Sequence, residues 1–491
     1  MNFSIILKSL GSLIMLVGLS MMSCVFMGWL IPHHREGVAT SYEGWWLSVL
    51  ITIVAGGLAY GVGRYQLRGE KDTKIFRREA IAIVGLGWIL CTIFAALPHY
   101  LCIRDTTWIE AIFEASSGFT TTGASIFASV EVLSETTLLW RSVTQWLGGM
   151  GILGAFLLIF SGESRGKTLL SFESSIHGAD LSSSDLRSAM RSLWRIYISL
   201  TVITMIGLWM MDMTFFQAVN HGMTTAATGG FGTENDSVTS FSDGVKLWLS
   251  LSMLVSGISF PLYIALLKRK DLNILKRHEE TRWYLILIIA SIIIISISNS
   301  VTDCVSCVVD VIFNVITIIT TTGFGVGDYE TWPAISKQVI MLIMVMGGCS
   351  GSTAGGLKVS RILIWIRSMK NEIIRGFRPN VVLKLQMNGK RLDDEVIRSV
   401  YVVTSVAVFF FLLGSMILSL LEPHLDVITC ASAVLSSLCN IGPAFSALGP
   451  TQNYSILSEP SLGLLSMLMI LGRLEYVAIL VLFSRRLWRK Y

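Results

Sequence analysis

Charge is scarce in this sequence. Only 14% of its 491 residues are Asp, Glu, Lys or Arg, against 53% that are hydrophobic, and the mean hydropathy is +0.65. A soluble protein of this size needs more charge to cover its surface. The eight cysteines are scattered. Cys304 and Cys307 form one C-x-x-C with no second pair beside it, so no disulfide framework is implied and packing is the default role. No Ser/His/Asp set, metal-ligand cluster or catalytic carboxylate pair stands out, which speaks against an enzyme. No apolar run carries an arginine at every third position, so a voltage-sensing channel is excluded.

What is present is apolar length. The runs 5–31, 45–63, 138–160, 245–267, 283–300, 339–357, 400–421 and 462–483 approach or exceed the roughly 20 residues that span a bilayer. The chain therefore reads as an all-α polytopic membrane protein embedded in lipid. The first run is too long for a signal-peptide core and is read as a retained helix. The net charge of +5 could suggest a nucleic-acid partner, but its distribution argues for none. Basic residues gather at 64–78, 268–282, 358–398 and 485–490, while the alternate loops hold acids such as Asp105, Glu131, Glu234, Asp328 and Glu422. This alternation follows the positive-inside rule and places both termini in the cytoplasm.

A short glycine loop recurs four times. Thr121-Thr122-Gly123, Ala227-Thr228-Gly229, Thr321-Thr322-Gly323 and Asn440-Ile441-Gly442 each follow a segment of 12 or 13 residues: 108–119, 215–227, 309–320 and 427–439. Those segments are too short to span. Each is preceded by an apolar run and an acidic loop, and followed by a second apolar run. The unit is helix, half-helix, glycine loop, helix, and all four loops open to the same side. Irregular backbone at membrane depth needs shielding by protein or a watery path, and four copies around one axis shield one another. Glycine allows carbonyls to point inward, a carbonyl ring replaces the hydration shell of a monovalent cation, and the half-helix C-termini favour positive charge. The threonine before the glycine could add a hydroxyl contact.

On these motifs the chain resembles the Trk/Ktr/HKT superfamily of potassium transporters, over essentially its whole length. The two additional spans before the first repeat resemble the bacterial Trk-type uptake subunit rather than the shorter Ktr type. The resemblance implies four helix–pore-loop–helix repeats (71–165, 166–272, 273–385 and 386–491) around one pore, after an N-terminal pair (1–70). Ten spanning helices are expected. It implies K⁺ as the transported ion, since Gly123 stands where serine accompanies sodium preference. It also implies a homodimer in the bacterial inner membrane. A cytoplasmic ring of regulatory subunits would dock on 268–282 and 358–398, and NAD or ATP would bind to that partner, with no organic cofactor on this chain. Cys439 departs from the asparagine common in the family.

Two intramembrane features complete the expectation. Gly347, Gly348, Gly351, Gly355 and Gly356 fall within residues 347–356, GGCSGSTAGG. Each glycine costs about 1 kcal/mol in a helix, so the segment should unwind, although small residues also suit tight helix packing. The family match makes it a gating loop beneath the filter. Arg473 lies mid-run, where insertion costs at least about 2.5–3.5 kcal/mol without compensation. It is expected to face the pore and bond carbonyls of 347–356, the alternative being a snorkelling arginine. Glu475, two residues on, is a poor direct partner for it. Several lookalikes are set aside. Gly149–Gly154 fits G-x-G-x-x-G but lacks the preceding strand, and 162–168 is one residue short of a Walker loop. His221 reads as packing or an outer hydrogen bond, and Glu114 and Asp310 as shapers of the outer field. Repeats of one orientation disfavour a proton- or sodium-coupled symport carrier built on inverted repeats, and a receptor would not need four buried glycine loops.

Overall fold

The computed structural model describes residues 1–30, 41–68, 75–151, 183–271, 273–301, 308–381 and 384–488. The C-x-x-C pair, the 162–168 loop, Lys71 and Lys74 lie outside them. The described chain is helical apart from loops and one minimal hairpin, in which Gln386–Met387 pairs with Lys390–Arg391.

Among the described residues, six helices are long and apolar enough to cross a bilayer unbroken: Phe3–Leu30, Tyr42–Gln66, Arg78–Cys102, Met190–Trp209, Glu279–Val301 and Asp394–Leu421. The first two lie against each other through glycine. A Cβ on Gly11 would stand 2.4 Å from the Tyr60 nitrogen, and one on Gly63 would stand 2.6 Å from that of Lys8. Such close backbone approach is how helices associate in lipid, where no hydrophobic force drives them together. The perimeter exposes Ile289, Ile293 and Ile297 on one helix and Phe409, Leu412 and Met416 on another, a surface suited to hydrocarbon.

The remaining four of the ten expected spans are not continuous helices. These are the second helices of the four repeats; three are interrupted, and the first has ended by Gly151, as far as it is described. Glu135–Gly149 ends in a turn at Met150 and Gly151. Asp243–Ser256 bends by 83° into Phe260–Lys268. Ala334–Met346 gives way to an irregular stretch before Val359–Phe377. Glu459–Arg473 is parted from Val477–Leu482 by Glu475 and Tyr476, both at positive φ. The glycine-rich third break is the one expected above, but the cluster Gly148, Gly149 and Gly151 and the pair Gly257 and Pro261 mark two more; the lone Gly472 is tolerated within a helix and marks nothing.

Four short helices fill the centre: Trp108–Phe119, Phe215–Ala227, Val308–Ile319 and Val427–Cys439. Two of their starts are chemically fixed. Thr107 with Glu110, and Thr214 with Gln217, form capping boxes that satisfy the orphan amides of the first turn. Their C-terminal halves are buried, apart from the partly buried Leu435. The interrupted helices press on these ends through glycine. A Cβ on Gly148 would lie 1.9 Å from the Phe119 carbonyl oxygen, and one on Gly472 would lie 2.0 Å from that of Leu438.

Gly148→Ala should therefore cost more than the roughly 1–3 kcal/mol of ordinary overpacking, because the obstacle is backbone. Gly57→Ala, on a helix face with nothing within 4 Å, should be neutral or gain up to about 1 kcal/mol. Thermal melting of the purified variants separates the two; equal melting temperatures would contradict this packing.

Candidate functional site

The four half-helices end in the same way. Thr121, Thr228, Thr321 and Asn440 adopt φ of 55°, 54°, 55° and 54°. Their amides donate to the carbonyl three residues back, at 3.0, 3.0, 3.0 and 3.3 Å. The next amides, of Thr122, Gly229, Thr322 and Ile441, reach five residues back to Ser117, Thr224, Thr317 and Ser436, at 2.9, 2.8, 2.8 and 3.0 Å. This is a Schellman closure, which usually places glycine at the left-handed position. Threonine there costs about 1–2 kcal/mol, and such strain persists only where surroundings enforce it. Gly123, Gly230, Gly323 and Gly442 follow, at φ 86°, 82°, 83° and 107°.

This pattern corrects the alignment of the second loop. Its equivalent residues are Thr228-Gly229-Gly230, whereas the sequence pairs Ala227-Thr228-Gly229 with the others. Ala227 is the last residue of its helix, and Gly230 carries the positive φ. Two adjacent glycines leave that one-residue choice open until the hydrogen bonds are known. A second correction concerns threonine. The hydroxyls of Thr122 and Thr322 pair with those of Thr120 and Thr320 at 2.7 and 2.8 Å, and Thr122 also accepts from Asn440 Nδ2 at 3.1 Å. They are occupied by protein partners, which leaves main-chain carbonyls as the loops' common chemistry.

The loops close into a ring. A Cβ on Gly123 would stand 2.3 Å from the Gly229 oxygen, on Gly230 2.0 Å from that of Thr322, on Gly323 1.9 Å from that of Ile441, and on Gly442 2.6 Å from that of Thr122. Loop 1 meets loop 2, loop 2 meets loop 3, loop 3 meets loop 4, and loop 4 returns to loop 1. A second tier of bonds runs in the same order on the acidic-loop side. Val130 N donates to Asn235 Oδ1 at 2.7 Å, Val238 N to Gly325 O at 3.2 Å, Ser446 N to Glu330 Oε1 at 2.6 Å, and Tyr454 N to Ser125 O at 2.9 Å. Cavities flank the ring. One of 120 Å³ on the acidic-loop side is lined by all four ring glycines, and one of 130 Å³ on the other side by Asn440, Lys358 and Arg473 among others.

The glycine-rich segment 347–356 lies directly against the ring on that second side. Gly347, Gly351 and Gly356 are at positive φ, and Gly348 and Gly355 leave no room for a Cβ against Ala354 and the Cys439 oxygen. Thr353 donates to the Ala226 carbonyl at 3.1 Å, Gly355 N to Thr321 Oγ1 at 2.6 Å, and Gly356 N to the Cys439 carbonyl at 3.0 Å. The segment thus touches half-helix ends of repeats 2, 3 and 4. Arg473, the last residue of its helix, donates to Thr353 O at 3.0 Å, Gly148 O at 2.7 Å and Gly149 O at 3.1 Å. Only one of these acceptors belongs to the glycine-rich segment; the others are carbonyls released by the break in repeat 1. Glu475 pairs with Arg361.

Two buried charges carry more of the site than their sequence context suggests. Glu280 accepts from Ser350 N at 2.7 Å and Ser360 N at 3.1 Å, tying the segment to the first turn of the helix that follows it. In the sequence it is one of two acids opening a helix, where the dipole alone accounts for it. Glu114 does not face the outer field. It is buried and accepts from Arg141 Nε at 2.7 Å and from Ile126 N at 3.1 Å. Arg141 also reaches Ser125 Oγ at 3.1 Å and lies 4.0 Å from the Phe231 ring centroid, joining loops 1 and 2. A lone arginine in an apolar run was a signal that a partner had to exist. Asp310 stands 3.6 Å from Lys246. His221 packs between Phe241 and Phe324, with Thr233 Oγ1 3.3 Å from Nε2.

Removing one partner of a buried pair strands the other charge at a cost of about 3–5 kcal/mol, whereas replacing both with apolar groups costs far less. Glu114→Leu and Arg141→Leu should each destabilise strongly, and the double variant should be less destabilised than the two single losses added. A double-mutant cycle on thermal or denaturant unfolding reads this; additive losses would contradict the pairing.

The chain is similar to known proteins over its whole length. The TrkH family profile, described as cation transport protein, matches residues 50–490. The Trk system potassium uptake protein TrkH of Halomonas elongata is 31% identical over 499 residues, covering 100% of both chains. The protein of the same name from Escherichia coli K12 is 27% identical over 500 residues, again covering 100% of each. The crystal structure of the potassium transporter TrkH from Vibrio parahaemolyticus superposes with a TM-score of 0.86 at 25% identity over 100% of both chains. The chain with its ring of four glycine loops is a transporter, not an enzyme, and belongs to the TrkH family of cation transport proteins.

Proposed function

We propose that this chain forms a potassium-selective uptake pore of the bacterial cytoplasmic membrane, with the four-loop ring as its selectivity filter. The observation that carries the reading is the cyclic closure of the ring, which brings the carbonyls of Thr122, Gly229, Thr322 and Ile441 to four successive seams. A set of backbone carbonyls suits a dehydrated monovalent cation, and four half-helix C-termini converging there add negative potential. The family's relatives named as potassium uptake proteins point to the same ion. The ring residues carry no titratable side chain, which favours channel-like passage over proton coupling at this site.

Residues 347–356 act as a gate in this reading and Arg473 as its clasp. At an effective dielectric near 20, two unit charges about 6 Å apart repel by roughly 3 kcal/mol, about a hundredfold in ion occupancy. Arg473 thus opposes a cation in the cavity while holding the segment across it. The basic segments 268–282 and 358–398 supply a docking face for a nucleotide-binding regulatory ring that would draw the gate aside, and the chain would work as a homodimer.

In reconstituted liposomes the protein should pass K⁺ and Rb⁺ over Na⁺ and Li⁺. Gly123→Ser should relax that discrimination, since even a Cβ collides with the Gly229 carbonyl; equal K⁺ and Na⁺ flux in the parent would refute the reading. Arg473→Ala should raise basal K⁺ flux, by as much as about a hundredfold if the charge dominates. Arg473→Lys keeps the charge but loses the planar fork, so it behaves like arginine if charge governs and like alanine if hydrogen bonding does. Unchanged flux in Arg473→Ala would remove its role in gating.

A further inference from the structure

Three ring loops carry a branched side chain just before the ring glycine: Thr122, Thr322 and Ile441, all fully buried. The second loop has Gly229 there instead. Its missing side chain leaves no void, because Gln145 fills the space. A Cβ on Gly229 would stand 2.4 Å from both Cδ and Oε1 of Gln145. Gln145 belongs to Glu135–Gly149, the second helix of the preceding repeat, and is itself fully buried. Its Nε2 donates to the Gly229 carbonyl at 2.6 Å, and its Oε1 accepts from Phe231 N at 3.1 Å. One contact requires a donor and the other an acceptor, so a single amide orientation satisfies both.

The Gly229 oxygen is the ring carbonyl at the seam between loops 1 and 2. Among the described residues no side chain donates to its counterparts on Thr122, Thr322 or Ile441. We propose that Gln145 is a specificity-determining residue, which replaces the side chain that loop 2 lacks and fixes the Gly229 carbonyl through its amide, making the four ring ligands unequal. This rests on the reading of the ring as the selectivity filter. The physical effect is twofold. The amide occupies part of the oxygen's accepting capacity and sets its direction, and discrimination among cations depends on the number, field strength and freedom of such carbonyls. The side chain also buttresses the loop from behind, as Thr122, Thr322 and Ile441 do for theirs.

The test is the K⁺-over-Na⁺ flux ratio of the full-length protein in liposomes, measured with thermal melting, for Gln145→Leu, Gln145→Ala, Gln145→Ala with Gly229→Val, and Gly123→Ser. Gln145→Leu keeps most of the volume and removes both the donor to Gly229 O and the acceptor from Phe231 N. It should still fold, melting below the parent because Phe231 N loses its partner, and change the ratio by at least about threefold, the scale of one hydrogen bond. Gln145→Ala should change it further, and adding Gly229→Val, which restores a branched side chain from the loop itself, should recover part of the loss. Parent-like ratios for both Gln145 variants, while Gly123→Ser lowers its own, would overturn the role of Gln145 and leave the filter standing. Parent-like ratios for all the variants, Gly123→Ser included, would overturn the filter and this inference together.

Discussion

The contact on which the rest depends is a glycine against a carbonyl, made four times in a circle. At each seam the position a Cβ would take lies between 1.9 and 2.6 Å from the next loop's oxygen, closer than any side chain tolerates. Glycine is therefore required by the neighbour as well as by its own positive φ. Backbone that is neither helix nor strand survives at membrane depth only when protein or a water-lined path covers it. Here each loop is covered by its neighbours, so no loop is stable without the other three. The strained threonines at 121, 228 and 321 fit this dependence, since a left-handed β-branched residue persists only under enforcement from its surroundings.

The same close approach operates one layer out. The interrupted second helices bring Gly148 and Gly472 against half-helix ends, and at their breaks they release carbonyls that need partners. Arg473 collects three of these oxygens from two segments. A guanidinium with five donors suits several convergent carbonyls, and this accounts for a charge that would otherwise be costly within a membrane. Glu280 is its counterpart of opposite sign, since it binds one amide within the glycine-rich segment and one in the first turn of the helix after it. The breaks and the buried charges are thus parts of one arrangement, in which each charge is balanced by backbone dipoles.

Much of this was legible in the chain. Scarce charge, alternating loop charge and apolar runs announce a helical membrane protein, and the four glycine motifs locate the half-helices to within a residue. What was not legible depends on atoms far apart in sequence. The second loop holds adjacent glycines, and only the folded backbone, through the bond from Gly229 N to Thr224 O and the positive φ of Gly230, reveals that Gly230 is the ring member. The break after Gly472 follows a lone glycine of the kind helices tolerate, whereas Gly148-Gly149 with Gly151, and Gly257 with Pro261, carry a local signal. Glu114 reads as a surface acid until Arg141 is found beside it, 27 residues later. Gln145 has no signal at all without the neighbouring space left by Gly229.

The central claim is that the ring of four carbonyls is where a cation loses its water. It is tested most directly by crystals grown in Rb⁺ in place of K⁺ and measured at the rubidium absorption edge. An anomalous peak on the axis of the ring, within bonding distance of the Thr122, Gly229, Thr322 and Ile441 oxygens and absent from crystals grown in Na⁺, is the result expected. Rubidium found elsewhere in the chain, with none at the ring, would contradict the account.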